Sequence, residues 1–122
     1  MAIADKFSPD TNLSGAADGF PQPYLEMAAD GACTIAHGTV FITKAGVCAI
    51  TLDTPPVNMN GAVLRFVSST AQAHTVTHTP GFGGGTTARD VATWGGAIND
   101  GMVLLAYAGV WYVSSTRNVT IA

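Results

Sequence analysis

The chain closes on GMVLLAYAGVWYVSSTRNVTIA, Gly101 to Ala122. β-Branched and aromatic residues dominate on both sides of a small-residue break, which is the composition of paired strands. Met102–Ala106 is predicted to pair with Trp111–Ser115 around a tight turn in YAGV, where Gly109 supplies permissive backbone. Asn118–Ile121 predicts a last short strand. The segment holds a single charge, Arg117, and no obvious catalytic group.

Working back, the same texture continues to Ala32. Strands are predicted at Thr39–Thr43 and Val47–Leu52, parted by Lys-Ala-Gly, and at Ala62–Ser68 and Ala73–Thr79, parted by Ser-Thr-Ala-Gln. Pro55 and Pro56 break the chain between these pairs. GFGGGTTAR predicts a flexible loop, DVATWGG a short strand, and Ala97–Asp100 a turn. No segment has a sustained 3.6-residue apolar period. The fold class expected is all-β: a compact antiparallel sandwich or barrel, jelly-roll-like, of about eight short strands. The strand–turn–strand rhythm repeats in pattern but not in letters, so it is not read as a solenoid repeat.

Residues 1–30 differ. Pro9, Pro21 and Pro23 and scattered glycines interrupt any period, with at most a helical turn at Tyr24–Asp30. They read as an extended arm ahead of a body at 31–122. Phe7, Leu13, Phe20, Tyr24 and Leu25 make it richer in large apolar groups than a solvated tail, so docking on a shell or sister subunit is expected.

Charged residues are 11% of the 122-residue chain, against about 25% in ordinary domains. So uncharged a surface is expected to be covered by copies of itself or by a partner. The arm carries Asp5, Asp10, Asp18, Glu26 and Asp30 against Lys6; the body is close to neutral. Neither nucleic acid nor an anionic membrane finds the basic face it needs. No export signal is read at the start, so Cys33 and Cys48 are expected as free buried thiols, and the triplets at Asn12 and Asn118 as chance.

His74 and His78 are four apart on a predicted strand, hence about 13 Å apart on one face. That is too far for one metal ion, and they are expected on an exposed or interfacial face; no metal or cofactor is expected. Asp90 and Asp100 read as turn residues, and no GxSxG elbow or phosphate loop is present. Trp94, Tyr107, Trp111 and Tyr112 are expected in the core or a subunit interface, with stacking on sugar as the alternative.

The runs at Ser68–Ala71, Ala73–Thr77, Gly81–Gly85, Asp90–Ile98 and Ala106–Val113 together resemble small structural proteins of tailed phages and prophages. The resemblance spans Ala62 to the end and departs at Ala108-Gly109, where the pattern usually has Asn-Gly. It implies a non-enzymatic capsid decoration (cement) protein on the virion exterior, made in the host cytoplasm. Its partners would be the major capsid protein and itself, a homotrimer first and a dimer second. A tail-fibre or receptor-binding module recognising glycan is the competing reading. A glycan-cleaving enzyme would need facing carboxylates that the sequence does not supply.

Overall fold

The structure, a computed structural model, describes residues 23–84 and 89–122. These form ten strands and no α-helix. They are β1 (Tyr24–Met27), β2 (Gly31–Ala32), β3 (Gly38–Ile42), β4 (Ala49–Thr51), β5 (Val63–Ser68), β6 (Thr75–Thr77), β7 (Val91–Trp94), β8 (Gly101–Tyr107), β9 (Val110–Arg117) and β10 (Val119–Ile121). The first sheet runs β1-β3-β5-β8-β9 and the second β10-β7-β6-β4-β2. All-β is therefore right, but the architecture is two mixed five-stranded sheets and not a closed barrel.

The antiparallel expectation is corrected by the first six strands. The chain alternates between sheets, so β1, β3 and β5 are parallel neighbours in one, and β2, β4 and β6 in the other. Each strand of the opposite sheet serves as the crossover that a parallel pair requires. Lys-Ala-Gly and Ser-Thr-Ala-Gln, read as short breaks between strands, are corners between sheets. The chain thus winds three times before β7 to β10 close both sheets antiparallel. Leu25, Val40 and Phe66 stack in one row across uneven sequence intervals, which hides the repeat from any fixed period.

Residues 24–30, expected in the arm, supply β1 and lead straight into β2 at Gly31–Ala32, and Tyr24–Met27 is strand and not helix. Met27 is buried and Leu25 packs on the core. Gly38 makes the β1–β3 approach possible: its φ is +105°, and a Cβ there would run into the Pro23 carbonyl.

Both sheets feed one core. Val40, Ile42, Leu64, Phe66 and Leu104 come from the first, and Ile50, Val76, Ala92 and Trp94 from the second. Each large side chain fully buried here stabilises by about 1.5–3 kcal/mol. Asp100 ties the sheets together just before β8. Its carbonyl accepts from the Ser68 N–H at 2.9 Å and from the Trp94 indole N–H at 2.9 Å. Its carboxylate accepts from the Ala97 N–H at 2.8 Å and the Asn118 amide at 3.0 Å.

The predicted β8–β9 hairpin is present, and its two central residues both have positive φ, Ala108 at 53° and Gly109 at 76°. Glycine tolerates this geometry and alanine resists it. Ala108→Gly is expected to raise stability by about 0.5–1 kcal/mol in urea unfolding, as relief of an unfavourable backbone conformation should. Asp100→Ala removes the charged acceptor of the Ala97 N–H and the Asn118 amide and is expected to cost about 1.5–3 kcal/mol in the same assay.

Candidate interaction face

Strand parity divides the outward side chains into two unlike surfaces. On the second sheet one outward row is Ala49, Thr75, Thr93 and Thr120, and the next holds Thr51, Thr77 and Val91. Short hydroxyl side chains keep that face wet without charge. On the first sheet the outward rows are Tyr24–Thr39–Arg65–Val103–Ser115, Glu26–Phe41–Val67–Gly101–Arg117 and Val63–Leu105–Tyr112. Tyr107 follows on the same face of β8, with Val110 opposite it. Tyr24 is 68% exposed, Tyr107 61%, Tyr112 42%, Phe41 41% and Leu105 39%, so large apolar groups concentrate on this one face. Tyr24 and Phe41 meet edge to face at 6.2 Å, which fixes both rings at the β1 side.

A register shift between Val103 and Leu104 completes the face. Leu104 pairs with Val113 but Val103 with Ser115, so Ser114 is the extra residue of a bulge. Tyr112 and Arg117 are five apart and would point to opposite faces of a regular strand. The bulge puts both outward. Arg65 and Arg117 flank β8 and line a groove of about 380 Å³ with Gly101 on its floor.

Of the arm residues singled out from sequence, Phe7, Leu13 and Phe20 lie outside the described residues, Tyr24 is on the outward face and Leu25 is half-buried. The four body aromatics divide. Trp94 and Trp111 are core, each with its indole N–H on a backbone carbonyl: Asp100 for Trp94, and Asp53 at 2.8 Å for Trp111. Trp94 also meets Phe66 edge to face at 6.3 Å. Neither tryptophan can stack on a sugar. Tyr107 and Tyr112 are outward and can.

The histidines are not on an exposed face: both are fully buried. His74 Nδ1 accepts from the Cys48 N–H at 3.0 Å, and Nε2 lies 3.0 Å from the Thr70 hydroxyl. Thr70 itself donates to the Lys44 carbonyl at 2.8 Å, so Nε2 carries the proton and the ring is neutral. His78 Nδ1 donates to the Leu52 carbonyl at 2.8 Å, and its ring tilts against Phe82 at 5.4 Å. The signal was in the sequence. Val76 shares the parity of both histidines, and an apolar residue between them marks their face as inward.

Phe82 also corrects the glycine-rich loop. It is fully buried, and the Gly83 N–H donates to the Trp111 carbonyl at 2.8 Å, so Gly81–Gly84 is pinned to the body; residues 85–88 lie outside the described residues. Asp90 and Asp100 do not form a facing pair: the Asp100 carboxylate is buried and occupied by its turn, as read. Cys33 and Cys48 are free, buried thiols, and burial pushes both above the usual thiol range. The Lys44 ammonium, 2.8 Å from Asp30, and the Ala49 N–H hold the Asp30 carboxyl below its ordinary value. Among the described residues no cluster of three His, Cys, Asp or Glu could hold a metal ion.

With this geometry in hand, comparison with known proteins matches no family model, no curated protein and no solved structure.

Burial holds the His74 ring below its ordinary pKa, chiefly by desolvation. Below about pH 6.5 the unfolded chain therefore binds a proton that the folded chain resists. The contribution is complete above that pH and is lost as pH falls towards the folded value. Urea midpoints measured from pH 7.5 to 5 are expected to fall, and less steeply in His74→Gln, which cannot titrate. Equal slopes would remove His74 from the cause.

Proposed function

We propose that the chain is a non-enzymatic structural protein of a tailed-phage virion. In this reading it decorates the capsid exterior and stabilises it by binding where major capsid protein subunits meet. The observation that carries the reading is the outward face of the first sheet. Tyr24, Phe41, Leu105, Tyr107 and Tyr112 stand on one rigid surface, opposite a surface of threonines. Aromatic groups gathered on one patch of a small domain are the mark of a protein-binding face. The short motifs shared in texture with phage structural proteins point the same way, and so does the low charge. The two sheets packed on one core make a sandwich that displays this face at fixed geometry.

The protein would be a homo-oligomer, a trimer first and a dimer second, since symmetric shells offer symmetric sites. Residues 1–22 would add contacts to the shell or to sister subunits, with Phe7, Leu13 and Phe20 as anchors. No metal, cofactor, nucleic acid or membrane enters the scheme.

A second reading is favoured by the same tyrosines. A tail-fibre module that recognises surface glycan would use Tyr24, Tyr107 and Tyr112 as stacking platforms.

Light scattering after size exclusion is expected to give a trimer or dimer, and co-sedimentation with expanded phage capsids is expected to saturate. Tyr107→Ala with Tyr112→Ala should weaken that binding by about tenfold or more, as loss of two central aromatics does. A strict monomer that ignores capsids but binds a glycan array through those tyrosines would replace the first reading by the second.

A further inference from the structure

The outward face of the first sheet has two parts that call for one kind of occupant. One end is apolar, with Leu105, Tyr107 and Tyr112. The other is the groove over Gly101, lined by Arg65 and Arg117. Among the described residues the one ion pair is Lys44 with Asp30, so neither arginine meets a carboxylate there. The face's carboxylate, Glu26, stands at the β1 end of the row that reaches Arg117 on β9, so the positive charge is confined to the β5–β9 half. The occupant must bring carboxylates as well as apolar groups.

Residues 1–22 have that chemistry. They hold Asp5, Asp10 and Asp18 against Lys6, interleaved with Phe7, Leu13 and Phe20. They also join the body at the right place. The Pro23 carbonyl accepts the Thr39 N–H at 3.0 Å, and Tyr24 begins the row that runs through Arg65 to Ser115. The segment therefore leaves from the edge of an identical face. Extended, 22 residues reach about 70 Å, whereas the face measures about 24 by 17 Å. That area, about 400 Å², is half of what a partner gives to a standard stable interface. It suits an extended segment better than a second whole domain.

We propose that residues 1–22 of one copy seat on the outward face of the first sheet of the next copy. Acidic side chains lie at Arg65 and Arg117, and Phe7, Leu13 and Phe20 lie among the tyrosines. The contact is heterologous, segment on one copy and face on the other, and with a closing rotation its repetition gives a ring such as a trimer. This inference rests on the self-assembly reading above: the face serves the contact between copies, and loss of its tyrosines weakens capsid binding through loss of the oligomer.

The test uses the full chain with a photo-cross-linking phenylalanine analogue in place of Leu13. Irradiation is expected to give covalent oligomers joined at peptides from β5, β8 or β9. Arg65→Glu with Arg117→Glu, both exposed positions, should cut the yield by roughly tenfold. Asp10→Lys with Asp18→Lys in the same chain should restore it. Light scattering runs in parallel. An oligomer whose cross-links all fall outside the first sheet overturns the seat and leaves self-assembly standing. Cross-links to the first sheet confined within single chains overturn exchange between copies. A monomer without cross-links overturns both the seat and the assembly reading.

Discussion

The fold depends on how Asp100 is satisfied. At this residue the chain leaves the second sheet through β7 and enters the first as β8, and the pattern changes from parallel winding to antiparallel closure. A buried carboxylate is costly unless its acceptors are filled. Here Ala97 and Asn118 fill the carboxylate, while Ser68 and Trp94 fill the carbonyl. Ser68 ends β5 and Trp94 ends β7, so one residue joins the termini of strands in opposite sheets. The following Gly101 then lies so close to β5 that a Cβ would strike the Phe66 carbonyl. The tight turn and the close strand are one arrangement.

From that constraint the two surfaces follow. Winding between sheets gives every strand an inner and an outer side, and parity assigns side chains to them. The inner sides share one core. The outer sides are free to differ, and they do: threonine rows on the second sheet, aromatic and arginine rows on the first. The bulge at Ser114 is the one departure from strict parity on β9, and it is what brings Arg117 to the side of Tyr112. Bulges that re-aim a side chain are common beside functional surfaces.

Most strands were legible in the sequence because alternation is a local property. The segments from Thr39 to Ile121 were found with their faces nearly right, and Trp94 and Trp111 lie in the core, one of the two places expected for them. Pairing was not legible. A three-residue link such as Lys44–Gly46 can close a hairpin or turn a corner between sheets, and nothing in the letters separates the two. β1 and β2 were missed because prolines and glycines lead into them and each is too short to show alternation. The inward histidines were missed for a different reason: their polarity suggested water, whereas their parity with Val76 placed them in the core. The candidate face was half visible. Its tyrosines were named, but Phe41, Leu105 and Arg65 belong to it only through the cross-strand register.

Scarcity of charge turns out to have two physical sources. The second sheet stays hydrated through Thr51, Thr93 and Thr120, and the end of β9 through Ser114, Ser115 and Thr116, all exposed hydroxyl residues that need no partner. Low charge alone therefore does not require that the surface be covered. The proposed partner rests on something narrower: tyrosine and leucine side chains held in register on a sheet that cannot fold over to hide them. The few charges on that face sharpen the demand. Arg65 sits between Thr39 and Val103, and Arg117 faces Gly101 with Glu26 at the opposite end of its row, so neither has a carboxylate on an adjacent strand. A face built in this way discriminates. In the proposed assembly the β5–β9 half favours an acidic, apolar-studded strand, because apolar area supplies the attraction and the arginines select the sign of what is attracted.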